Sequence, residues 1–228
     1  MERIGDQAAL LQAIRVAPDD DLPRLVYADW LEEHDQAQYA EFIRAQCALA
    51  RLPECDPERP VLTRRAAELL KWHGYRFLQL DHPQVVRGMT FDRGFVEQIQ
   101  IPARQLLDAS WLPLAPTLHT AVLDDVTADQ VWALTRFRWP DWLTVLEFRA
   151  ALEEDEFPDW ASIPREVERV RDTEAELLVS LARLERLQSF GLAYFVITDG
   201  ARQKLSEGFG DRLRLYQSHL PRSGPEGS

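Results

Sequence analysis

Lysine is nearly absent from this chain: Lys71 and Lys204 are the only two in 228 residues, and the other bases are arginine. Cysteine is as scarce, and Cys47 and Cys55 form no Cys-x-x-Cys pair, so neither a disulfide framework nor a zinc knuckle is expected and a reducing cytoplasm fits best. An excess of positive charge is also lacking. The formal net charge is −12, which argues against a protein that binds nucleic acid by neutralising phosphates. No apolar run approaches the ~18 residues of a membrane span. Glu2, Arg3, Asp6 and Gln12 interrupt the N-terminus where a signal peptide needs an uninterrupted apolar stretch.

Catalytic motifs are missing too. There is no Gly-x-Ser-x-Gly, phosphate-binding loop or Gly-x-Gly-x-x-Gly, and His34, His73, His82, His119 and His219 are scattered outside any zinc-ligand spacing. Asp19, Asp20 and Asp21 lack the twelve-residue calcium-loop pattern and read as turn and cap residues. No catalytic residue, metal or cofactor is therefore expected. Cys47 reads as a small buried residue rather than a nucleophile.

What the chain does have is a 46% hydrophobic composition, ample for a sizeable core. From residue 6 to about 17, Ala9, Leu10, Ala13, Ile14 and Ala17 form one helical face, with Asp6 as the expected N-cap and Pro18 as the stop. Asp21 caps a second predicted helix with Pro23 in its first turn. A third runs from about Gln38 to Leu52, ended by Pro53, and a fourth from Val61 to Leu80, continuous or broken around Gly74. Four short helices with brief connections make a compact bundle.

The string Pro18-Asp19-Asp20-Asp21-Leu22-Pro23-Arg24-Leu25-Val26-Tyr27-Ala28-Asp29-Trp30-Leu31-Glu32-Glu33, then Glu41-Phe42-Ile43-Arg44-Ala45-Gln46 and Leu49-Ala50-Arg51-Leu52, resembles the bacterial repeat-companion domain. The match covers roughly residues 6 to 52. This resemblance implies a helical domain placed before repeats, and it implies no enzymatic role. The family's glycine-containing linker between Glu-Glu and Glu-Phe-Ile-Arg has no counterpart in residues 34–40, so that turn is expected to be helical or reshaped. Arg24, Tyr27, Asp29, Trp30, Glu41 and Arg44 form either a polar recognition surface or a buried network that locks the helices; the pairing requirement of buried polar groups favours the network.

Further along, an apolar, x, x, apolar, x, apolar spacing occurs as Val96-Ile99-Ile101, Leu118-Ala121-Leu123, Leu143-Leu146-Phe148 and Leu187-Phe190-Leu192. Leucine-rich repeats recur at about 20–29 residues. Starts at 96, 118, 143 and 187 fit that interval if the last step spans two repeats. Helices are expected over Thr127 to Leu134 and after Thr198. Phe195-Val196-Ile197-Thr198-Asp199-Gly200-Ala201 resembles the turn of ribonuclease-inhibitor-type repeats, although the usual asparagine after each strand is missing. Ile163 to Leu187 reads as one helix.

Acid concentrates between 153 and 176, where ten carboxylates face three arginines. Glu153, Glu154, Asp155, Glu156 and Asp159 read as a solvated loop or a docking site for a basic partner. Trp139, Trp142 and Trp160 nearby are either core residues or interface anchors. The expected fold class is α+β, built as an α/β repeat: a helical bundle at 1–82 packed on a short, degenerate leucine-rich-repeat-like solenoid at 83–217. An acidic insertion falls near 149–186, and 218–228 is a disordered tail. The expected function is a non-enzymatic, cytoplasmic protein-interaction module, an adaptor, regulatory subunit or target in a bacterial signalling or defence assembly. Its partner is another protein with a basic surface rather than nucleic acid or membrane. The alternatives are an enzyme with an unrecognised site and, below it, a nucleic-acid-associated regulator.

Overall fold

The computed structural model describes residues 2–78, 88–106, 112–140, 142–150 and 169–216. They form a mixed α/β chain that divides into two compact units, Met1–Ile101 with Asp108–His119, and Pro102–Leu107 with Thr120–Ser228. The boundary expected between 82 and 83 falls outside the described residues, and the division comes later in the chain.

The first unit contains α1 (Glu2–Val16), α2 (Asp21–Glu33), α3 (Ala37–Arg51), α4 (Arg59–Phe77), β1 (Met89–Asp92) and β2 (Phe95–Pro102). Two cap expectations are corrected. Helix α1 is already running at Asp6, and α2 is capped by Asp20, whose carboxylate accepts the Leu22 N–H at 2.9 Å. Helix α4 passes unbroken through Gly74, which is buried. Asp35 takes φ 62 in the turn before α3, doing what a glycine would do there; short polar side chains tolerate the left-handed region best.

Strands β1 and β2 are an antiparallel hairpin whose pairing closes at Asp92 and Phe95. The two-residue turn, Arg93 at φ 47 and Gly94 at φ 90, follows the type I′ pattern that matches strand twist. Val96, Ile99 and Ile101, expected on the first strand of the repeat, do lie on a strand, β2, which is also the second arm of this hairpin. Phe95 is fully buried in one cluster with Leu11, Ile14, Tyr27, Leu31, Tyr39, Phe42, Ile43, Leu69 and Phe77. Tyr39 stacks on Phe77 at 4.5 Å, and Phe42 meets Phe91 edge-on at 5.6 Å.

The second unit contains α5 (Ala103–Leu106), β3 (Thr120–Asp124), α6 (Ala128–Arg136), β4 (Val145–Arg149), β5 (Arg169–Val170), α7 (Asp172–Val179), β6 (Ser189–Ala193), β7 (Val196–Ile197), α8 (Asp199–Phe209) and β8 (Leu213–Tyr216). Strands β3, β4, β6 and β8 lie side by side in that order, all parallel. Their register aligns Ala121, Leu146, Phe190 and Leu213 in one row and Leu123, Phe148, Leu192 and Leu215 in the next. Helix α7 packs between α6 and α8. Phe190 meets Phe148 edge-on at 5.5 Å and stacks on Phe209 of α8 at 4.5 Å.

Beyond the strand ends the ladder continues through the turns. Val126 N–H donates to the Arg149 carbonyl at 2.9 Å, Ala150 N–H to that of Ala193 at 3.0 Å, and Tyr194 N–H to that of Tyr216 at 3.4 Å. Asp125 and Tyr194, each just past a strand, adopt φ 56 and 67. The single helix expected over Ile163 to Leu187 is corrected within the described residues: Arg169–Val170 pairs in parallel with Val196–Ile197, and the helix starts only at Asp172. Glu174 accepts the Arg171 N–H at 2.9 Å, fixing that start.

Candidate functional site

Alternate side chains of a strand point to opposite faces. With the two apolar rows turned into the core, the other face of the parallel strands carries Val122 and Asp124 from β3, Val145, Glu147 and Arg149 from β4, and Arg214 and Tyr216 from β8. Register places Val122, Glu147, Gly191 and Arg214 in line. At its centre Arg149 Nε donates to Glu147 Oε1 at 2.6 Å, and its Nη1 lies 3.8 Å from Asp124 Oδ1. Partial burial works against the Arg149 charge, but the Glu147 hydrogen bond and the two carboxylates outweigh it and raise its pKa.

Gly191 shapes the middle of this face. A Cβ there would lie 2.9 Å from Glu147 Cγ and 3.3 Å from Tyr216 Cε2, so both side chains lean over the bare backbone of β6. Tyr216 is 50% exposed. Arg214 is exposed and folds its guanidinium onto the carbonyls of Asp211 and Leu213. The result is a mixed surface of aliphatic, aromatic and paired charged groups.

The residues singled out from sequence are distributed differently. Trp139, a candidate partner-binding residue that the sequence left as either core or interface anchor, is core and not surface: it is 7% exposed, packs against Phe137 and donates its indole N–H to the Leu134 carbonyl at 2.9 Å. Trp142 is half-buried. Glu153, Glu154, Asp155, Glu156, Asp159 and Trp160 lie outside the described residues.

The six residues assigned to one polar network separate into three groups. Arg24 is 1% exposed and donates to the Asp20 carbonyl at 3.0 Å, while buried Tyr27 accepts from Gln7 and stacks on Trp30. Arg44 bridges Asp29 and Glu32, each at 2.7 Å, on the exposed side of α2. Glu41 pairs with Arg65 of α4 at 2.6 Å. A single buried network is thus corrected to one buried pair of side chains and two exposed ion clusters.

Hairpin docking is the work of other residues in the same motif. Gln46 Oε1 accepts the Gly94 N–H at 2.6 Å, Arg93 donates to the Asp19 carbonyl at 3.1 Å, and Asp21 Oδ1 lies 3.5 Å from Arg93 Nε. A Cβ on Gly94 would fall 2.8 Å from Ile43 Cα, so only glycine lets the turn rest on α3.

Asp35, Gln36, Gln38, Tyr39, His73, Arg76 and Phe77 line a small open cleft of about 150 Å³. Burial pushes the Tyr39 hydroxyl well above the usual phenol range, away from the ionised form a base requires. Among the described residues no cluster of His, Cys, Asp or Glu could hold a metal ion, and no helix is long and apolar enough to cross a membrane.

Comparison with protein-family models, with curated proteins and with solved structures found no match.

Proposed function

We propose that the chain is a non-enzymatic protein-interaction module, a repeat-companion-type helical domain joined to a short, degenerate leucine-rich-repeat-like solenoid. In this reading it is an adaptor or regulatory component of a bacterial signalling or defence assembly in the cytoplasm. The observation that carries it is the register of β3, β4, β6 and β8, in which every second residue turns towards one core and the remainder share the other face, where Arg214 and Tyr216 are exposed. Such a face can change its side chains without touching the core, which is how repeat proteins use it. The repeat-companion motif supports the same reading, because its Asp20 caps α2, its Arg24 is buried, and its Asp19, Asp21 and Gln46 receive the hairpin.

The working surface is Val122, Glu147, Arg149, Arg214 and Tyr216. The experiment is capture from native cell extract on the full chain, in parallel with a Tyr216→Ala, Arg214→Glu variant whose folding is checked by circular dichroism. A specific protein retained by the first and reduced about tenfold or more on the second is expected, since exposed aromatics and arginines dominate interfaces. Equal capture by both, or no specific protein at all, sinks the assignment to this face.

A further inference from the structure

We propose that α2 carries a second interaction surface, a preformed ridge of Leu22, Val26 and Trp30 that docks an amphipathic helix with basic flanks from another protein. Isolated exposed apolar side chains are ordinary. These three are spaced by four and therefore run along one line of the helix, spanning about 12 Å at 1.5 Å per residue. Leu22 is 65% and Val26 44% exposed, with Trp30 half-buried at the far end.

Trp30 is held rigidly. Tyr27 stacks under it at 5.6 Å with planes 9° apart, and His34 stacks on it at 4.0 Å. His34 Nδ1 is fixed in turn by the Trp30 carbonyl at 2.7 Å. A pinned indole costs little entropy when a partner covers it, and tryptophan is the commonest interface anchor.

Charge selects the occupant. The charged side chains that α2 exposes are all carboxylates, Asp29, Glu32 and Glu33, while its one base, Arg24, is buried. Exposed Asp19 and Asp20 extend this field at the helix start and Asp35 at its end. Arg44 pairs with Asp29 and Glu32, and Arg93 reaches Asp19, so these six carboxylates outnumber the bases that contact them. An apolar ridge inside an acidic border fits a helix with an apolar stripe flanked by Lys and Arg, and it repels a second copy of this chain, whose net charge is −12.

The test uses the full chain and two synthetic helical peptides with one leucine stripe, flanked by Lys and Arg in the first and by Glu in the second. Binding is followed by fluorescence anisotropy and located by backbone amide shifts. Only the basic peptide is expected to bind, with shifts centred on α2, and Leu22→Ser, Val26→Ser together should weaken it about tenfold or more. Because both positions face solvent, that variant is expected to keep its circular dichroism spectrum. Failure of the basic peptide to bind, equal binding by the serine variant, or shifts away from α2 would overturn the proposal. So would concentration-dependent self-association that the serine variant abolishes.

Discussion

Cys47, Tyr27 and Tyr39 all lie in the core of the helical unit. Burial pushes the Cys47 thiol up to about 12 from 9.0, with Asp21 adding to the effect and Arg24 and Arg51 opposing it. Burial raises both tyrosines as well, against a hydrogen bond from Gln7 in the case of Tyr27. Each group keeps its proton in the folded unit at a pH where the unfolded chain has lost it. The neutral forms therefore stabilise the fold fully below about pH 9, and that contribution falls as pH rises through the window from 9 towards 12. Urea unfolding of the helical unit should accordingly shift to lower midpoints above pH 9. Native-state alkylation followed by mass should modify exposed Cys55 well ahead of Cys47. Equal labelling rates would contradict the burial argument.

At the scale of elements, α7 and α8 approach one another at two glycines. A Cβ on Gly200 would sit 2.6 Å from the Asp172 carboxylate, which accepts the Thr198 hydroxyl at 3.2 Å and lies 3.7 Å from Lys204. A Cβ on Gly208 would meet both Val179 methyls at 2.7 Å. Helix propensity alone says Gly208→Ala should stabilise by about 1 kcal/mol. Overpacking typically costs about 1–3 kcal/mol, and at 2.7 Å from two branched methyl groups the steric effect wins. Gly208→Ala is expected to destabilise by about 1–2 kcal/mol. In a double-mutant cycle by chemical denaturation, Val179→Ala should recover part of the loss. Strictly additive effects would show that the close approach is not the cause.

For the whole molecule, the informative feature is that the hairpin belongs with the helices. Phe95 fills the centre of the helical core, and Thr117 and His119 bond back to the Val96 and Glu97 carbonyls at 3.1 and 2.9 Å. A fragment ending at residue 82 lacks Phe91 and Phe95 and leaves their apolar partners open. Losing one buried Phe alone costs about 3–5 kcal/mol. A 1–119 fragment is therefore expected to unfold cooperatively in urea with a native near-ultraviolet spectrum, and a 1–82 fragment to show helix content without sharp unfolding. Equal cooperativity of the two would remove the hairpin from the folding unit.

Local pattern carried a good part of this architecture. Apolar periodicity with Pro18 and Pro53 as stops placed α1 and α3, because helix faces and breakers act over a few residues, but on α1 the face was misjudged: Leu11 and Ile14 are buried, whereas Ala9 and Ala13 are exposed. The spacing of Ala121, Leu123, Leu146, Phe148, Phe190 and Leu192 likewise placed three of the four aligned strands, since each must alternate sides. The strand at Leu213–Tyr216 was missed, being short and without the preceding apolar residue. Glu147, Arg149 and Gly191 were legible only as outward positions of a strand, and nothing local distinguishes an ion pair or a notch there from ordinary surface. Tertiary structure alone decided that Trp139 is core while Leu22 and Val26 are surface, and that the hairpin folds with the helices. Composition records how apolar a residue is, whereas burial depends on which distant element arrives to cover it.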